Sequence, residues 1–187
     1  MGWAPPTAAS DGFVYNVYLQ DQDNSCACAS VTMFARLVQN KTLDESTVRG
    51  WVRQAEGGAH TNKEGVRSFQ NVATSRDLYG SVFQNLKVTS FPVKGMHNVA
   101  KWITKINRAH PAVVSIGWQR WNPGTNSWER TGGHAILAVN VHANNVIFLD
   151  PGIGIVEIPA GKLPVYSVTY PGAAALSQGY MEEMRKT

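Results

Sequence analysis

Gln20-Asp21-Gln22-Asp23-Asn24-Ser25-Cys26-Ala27-Cys28-Ala29-Ser30-Val31-Thr32-Met33 is a polar turn that becomes an apolar helix, and the change falls at a cysteine. Asn24 or Ser25 is a side chain of the type that caps helix starts. Ala27, Val31, Phe34 and Val38 then recur at helical spacing, which predicts a stripe facing a core. A thiol at a helix start sits in the partial positive charge of free N–H groups, a setting that favours thiolate. Residues 13–19 read as a strand leading into the turn. Strand, turn and helix together carry an amide, Gln20, and a thiol, Cys26.

Working outward, Thr42-Leu43-Asp44-Glu45 and Thr61-Asn62-Lys63-Glu64 are capping-box patterns. They predict helices over 43–55 and 63–74, separated by Gly57-Gly58. An extended stretch near 81–88 follows, and Val99, Trp102, Ile103 and Ile106 mark a fourth helix that ends before His110-Pro111. Beyond Pro111 the signal changes to strands, over 112–118, 134–141, 146–149, 153–158 and 165–170. Asn122-Pro123-Gly124-Thr125-Asn126 reads as a turn, and Asn144-Asn145 supports a tight hairpin. Residues 1–12 are expected as a flexible tail, 13–170 as one domain, and 171–187 as a second tail with a short helix near 180–185. Helices first and strands second predict an α+β fold, N-terminal helices packed on a C-terminal antiparallel sheet.

A chain of 187 residues can bury one sizeable core, and 43% hydrophobic against 16% charged residues excludes a disordered chain. The net charge of +4 is dispersed, and basic residues beside aromatics, as in Gln119-Arg120-Trp121, are too sparse for a nucleic-acid surface. No membrane span is expected, because no window approaches the roughly 18 apolar residues that one requires. Met1-Gly2-Trp3-Ala4-Pro5-Pro6 lacks the charged start and apolar core of a secretory signal, which leaves the compartment open. Cys26 and Cys28, two residues apart, point away from each other on a helix, so no disulfide is expected. No zinc-ligand spacing or phosphate-cradling loop appears, and no metal or cofactor is expected.

The chemistry-bearing residues form a set. Gly132-Gly133-His134 enters one strand, and Asp150-Pro151-Gly152 ends the next. Adjacent antiparallel strands bring such an imidazole and carboxylate together, with the acid fixing the ring tautomer and stabilising the imidazolium. Cys26 is then the candidate nucleophile and His134 the base. Gln20 and the Cys26 backbone N–H are candidate donors to an oxyanion. Each has a rival. Cys28 lies deeper in the helix and reads as core, with Gln22 preceding it by the interval that separates Gln20 from Cys26. His142 sits in a turn and reads as solvated; His60, His97 and His110 lie outside the strands. Gly133 allows close approach of substrate, and Trp118, with Trp121 and Trp128, is either a substrate wall or hairpin packing.

At these residues the chain resembles the papain-like cysteine peptidases. Within them it is most similar to the double-glycine leader peptidases and to staphopain-like effector proteases of bacterial pathogens. In that group a Gln precedes the nucleophilic Cys, a Met follows in the same helix, and an Asp-Pro follows the His. Gln20, Cys26, Met33, His134 and Asp150-Pro151 stand at those positions here, preceded by the similar strand Val113-Val114-Ser115-Ile116-Gly117-Trp118. Where the leader peptidases have Cys-Gly, this chain has Cys26-Ala27. The resemblance implies a peptidase with a Cys26-His134-Asp150 triad, a Gln20 oxyanion hole and a protein or peptide substrate; a monomer is expected. A glutamine deamidase, a peptidoglycan amidase and a non-catalytic peptide-binding module are the alternatives on the same scaffold.

Overall fold

A computed structural model describes residues 1–55, 86–92, 105–160 and 180–186. Four short strands come first: β1 (Gly2–Trp3), β2 (Thr7–Ala8), β3 (Val14–Tyr15) and β4 (Tyr18–Leu19). β1 pairs with β4 and β2 with β3, both antiparallel. The segment expected as a flexible tail is therefore fastened to the fold. Trp3 packs edge-on against Tyr18, with ring centroids 5.2 Å apart. Asp11 accepts hydrogen bonds from Tyr15 Oη and Asn140 Nδ2. Small and proline residues made 1–12 look loose, but two aromatic side chains and one carboxylate supply non-local partners that composition does not reveal.

Helix α1 (Cys26–Gln39) starts after Ser25 and ends at Asn40, whose φ of 53° is the left-handed stop that Asn tolerates. The expected apolar stripe is wider than its spacing suggested, since every residue from Ala27 to Ala35 is buried. A helix buried all round lies inside the molecule rather than on it. Helix α2 (Glu45–Ala55) packs beside it through Val48 and Val52. The helix expected over 63–74 and most of the fourth lie outside the described residues.

Strand β5 (Leu86–Pro92) precedes a meander of β6 (Ala112–Asn122), β7 (Ser127–His142), β8 (Asn145–Asp150) and β9 (Gly154–Pro159), hydrogen-bonded in that order. The β7–β8 turn falls one residue earlier than the sequence suggested. Ala143 and Asn144 have φ of 44° and 66°, the positive pair that a two-residue type I′ turn requires, while Asn145 already pairs with His142. The sheet is buried on both faces. Leu137, Val139, Ile147 and Leu149 meet Val31 and Phe34 of α1, while Ile136, Ala138, Val146, Phe148 and Ile158 form a second core with Ile106. That double burial explains why these strands read as continuous apolar runs rather than alternating ones.

Residues 180–185, expected as a short helix, instead belong to strand β10 (Tyr180–Lys186), paired antiparallel with β5 along its length. A run this short cannot hold a helix by itself. A partner strand pairs the backbone groups on one edge of this run in a continuous ladder, and that outweighs local propensity. The strand expected over 165–170 lies outside the described residues.

Candidate active site

Two neighbouring strands place His134 and Asp150. Counting in twos from Ile136 on β7 reaches His134, and from Phe148 on β8 reaches Asp150. Ile136 and Phe148 share one core, so alternation sends the imidazole and the carboxylate to the same face. His134 Nε2 lies 2.8 Å from Asp150 Oδ1. The same oxygen accepts the Gly152 N–H at 2.7 Å, which fixes the carboxylate in its turn. Asp150 is fully buried and His134 is 8% exposed.

The other ring nitrogen, Nδ1, is thus left for the thiol side. His134 forms a further side-chain hydrogen bond with Cys26. Burial opposes the imidazolium, but the bonds to Asp150 and Cys26 outweigh it and raise the His134 pKa to about 9. At neutral pH the ring is held protonated between acid and sulfur. Cys26 is the first residue of α1 and is half-buried. Its rival Cys28 is buried in the core, and burial, with the nearby Glu45 charge, pushes its pKa up to about 12. His142 and His110 are both exposed; His60 and His97 lie outside the described residues.

The helix start is left open in an unexpected way. Ser25 occupies the cap position but makes no capping hydrogen bond. Its hydroxyl donates instead to Gln22 O at 2.9 Å and accepts from Gln22 N–H at 3.1 Å. The Ser25 hydroxyl therefore covers none of the first-turn N–H groups, the Cys26 N–H among them. Gln20 Nε2 donates to Gln22 O at 2.7 Å, and the second hydrogen of that amide remains available. The Gln20 backbone N–H donates to Pro151 O at 2.8 Å, which joins the turn before Cys26 to the turn carrying Asp150.

Gly133 is exposed and stands opposite Gly117, a rung of the sheet without side chains directly beside His134. Trp118 stands opposite Gly132 on the next rung, where a bulge shifts the register. One residue absent from the sequence-derived set adjoins this site. Glu45 is fully buried, and its Oε2 accepts the Asp21 backbone N–H at 2.7 Å. Its position in a capping box suggested a local partner, which is why the pattern alone concealed it. Among the described residues, no group of three or more His, Cys, Asp or Glu side chains can hold a metal ion, and no helix is long and apolar enough to cross a membrane.

A helix-start thiol set against a strand-borne imidazole, on helices packed against an antiparallel sheet, defines a papain-like thiol hydrolase. The chain belongs to the Peptidase C39 like family, a family of cysteine peptidases, which it matches over residues 14–160. Among solved structures it is similar to a double glycine motif protease from an AMS/PCAT transporter, in complex with the leader peptide. The identity is 16% and the TM-score 0.50, over 100% of this chain and 95% of that one, a likeness of fold. It is also similar to a putative C39-like peptidase from Bacillus anthracis, at 12% identity and a TM-score of 0.47, over 90% of this chain and 93% of that one. No curated protein matches the chain.

Proposed function

We propose that this protein hydrolyses peptide bonds, with Cys26 as nucleophile, His134 as acid and base, Asp150 as the group that orients His134, and Gln20 as oxyanion donor. The observation that carries the reading is His134 hydrogen-bonded at once to Asp150 and to Cys26. An imidazole beside the sulfur is the partner that a thiol nucleophile needs. The thiolate attacks the carbonyl carbon, forming a C–S bond and an oxyanion. The free hydrogen of Gln20 Nε2 and the Cys26 N–H are the donors suited to that oxyanion. Collapse breaks the C–N bond as His134 passes its proton to the leaving amine. Water then attacks the thioester, His134 takes its proton, and the C–S bond breaks to release the acid and restore the thiol.

An extended peptide is the substrate this site suits best. The side-chain-free rung at Gly117 and Gly133 leaves room for a backbone beside His134, with Trp118 on the adjoining rung. The similar double glycine motif protease holds a leader peptide. Backbone cleavage, the activity of the family, is favoured over deamidation of a side chain.

The test is incubation with a diverse peptide library read by mass spectrometry, alongside alkylation by iodoacetamide. The wild type is expected to cleave and to be alkylated at Cys26. Cys26→Ala loses alkylation at that position, and its turnover falls on the order of 10⁶-fold, as for removal of a hydrolase nucleophile. Cys28→Ala retains both. Turnover by Cys26→Ala at the wild-type rate would end this reading.

A further inference from the structure

Residues 21–25 form a short loop with Gln20 at one end and Cys26 at the other, so any device that fixes the loop also fixes the spacing of those two side chains. Glu45, on α2, is such a device. Its Oε2 accepts the N–H of Asp21, the residue after Gln20, at 2.7 Å. Its carboxyl also takes a side-chain hydrogen bond from Ser25, the residue before Cys26. The Ser25 proton serves Gln22 O or Glu45 one at a time, and an ionised carboxylate is the stronger acceptor. A second tie runs in parallel, since Tyr18 Oη accepts the Glu45 N–H at 3.3 Å and donates to Asp21 Oδ2 at 3.1 Å.

The local chemistry of α2 does not account for this arrangement. In a capping box Glu45 would reach back to the N–H of Thr42. Here the Thr42 hydroxyl accepts from Arg36 Nη1 at 3.0 Å, and Glu45 turns away to a loop from another part of the chain. Arg49, one turn along the helix, brings Nη1 within 3.3 Å of Glu45 Oε1 but out of hydrogen-bond alignment. A carboxylate with 0% exposure and so imperfect an ion pair is costly to keep. Burial wins on balance and raises the Glu45 pKa above the usual carboxylate value, and the hydrogen bonds that oppose it come from the loop, from the Asp21 N–H first and then Ser25.

From this clip across the loop we infer that Glu45 is a positioning residue, which holds Gln20 and Cys26 at the spacing that acyl transfer needs. It touches no substrate and acts through Asp21 and Ser25. The inference rests on the proposed roles of Gln20 and Cys26. Without the clip the sulfur remains in place at the helix start, but the amide donor loses its aim. The expected signature is a fall in kcat with little change in KM, and a loss that overlaps with the loss from removing Gln20.

The test is a double-mutant cycle on peptide cleavage, with folding followed by circular dichroism. Gln20→Ala alone is expected to lower kcat by about 10²-fold, the scale of one oxyanion donor. Glu45→Ala alone is expected to lower kcat by at least about tenfold, and Gln20→Ala in the Glu45→Ala background to add less than about threefold, because groups that act as a unit are not additive. Glu45→Gln keeps an acceptor for the Asp21 N–H and is expected to recover most of the kcat. If Glu45→Ala does not fold, the cycle is run on Glu45→Asp, whose shorter side chain falls short of the Asp21 N–H, with the same criterion of overlap. Losses that multiply, or an unchanged kcat in a folded Glu45→Ala, would overturn the inference. A Cys26→Ala enzyme that still turns over, or a Gln20→Ala enzyme at full activity, would instead overturn the roles on which it rests.

Discussion

The two halves of the candidate site are held by different physics. His134 and Asp150 lie on adjacent strands whose register places them, and the sheet beneath is packed on both faces. Gln20 and Cys26 lie at the ends of a loop, where no ladder sets the spacing and side chains must do so. The sheet half is over-determined, because moving either residue would break a strand pairing and two cores together. The loop half rests on a few polar contacts. Besides the His134–Cys26 contact itself, hydrogen bonds from Gln20 N–H to Pro151 O at 2.8 Å and from Ser30 Oγ to Ala135 O at 3.0 Å couple the halves. The lesson is that a site can draw rigidity from one element and adjustable alignment from another, and that substitutions should fail differently on the two sides.

The most severe way to break the sheet half without disturbing its packing is Asp150→Asn. The side chain keeps its shape but loses the charge that helps raise His134 to about 9. Activity is expected to fall by roughly 10²-fold or more, the scale of a general acid–base contribution. The alkaline limb of the pH–rate profile should move from near 9 in the wild type to lower pH. A variant whose limb stays put would mean that Asp150 does not tune the ring.

The same coupling has a signature in stability. Folding raises the His134 pKa from 6.5 to about 9, so the folded state holds that proton more tightly. The resulting stabilisation is complete below about pH 6.5 and is lost as pH rises through 9. It amounts to something on the order of 3 kcal/mol. Urea midpoints at neutral pH and at pH well above the folded pKa should differ more for the wild type than for Asp150→Asn. Equal differences would sever the link between this pair and stability.

The mildest perturbation addresses the coupling between halves. Ser30→Ala removes the hydroxyl that α1 donates to β7. It is expected to cost about 1 kcal/mol in thermal or urea unfolding, the net value of one buried hydrogen bond. A several-fold fall in kcat should accompany it, with the His134 limb unmoved. If the limb shifted with this substitution, the two halves would be less independent than their construction implies.

Local pattern was enough to read much of this molecule. The thiol at a helix start, the glycine pair before His134, and the strand ending at Asp150 are each visible over a few residues, because capping, turn formation and strand periodicity are short-range effects. The errors fall where distant partners decide. Residues 1–12 looked loose until Tyr18 and Asn140 supplied contacts. Residues 180–185 looked helical until β5 supplied a ladder. The turn at Ala143-Asn144 was missed by one position, because backbone sign and not residue preference set the loop.

The sequence by itself determined the inventory: which groups can carry charge or attack a carbonyl, and whether each rides on a helix, a strand or a turn. Tertiary structure alone decided who meets whom. It buried Cys28 and left Cys26 beside a ring, and it put His134 rather than His142 against Asp150. It also took Glu45 out of a local cap and set it against a loop more than twenty residues earlier in the chain. The reason is one of range. Propensity and capping act over a few residues, whereas desolvation and hydrogen bonding between distant segments exist only once the chain has closed on itself.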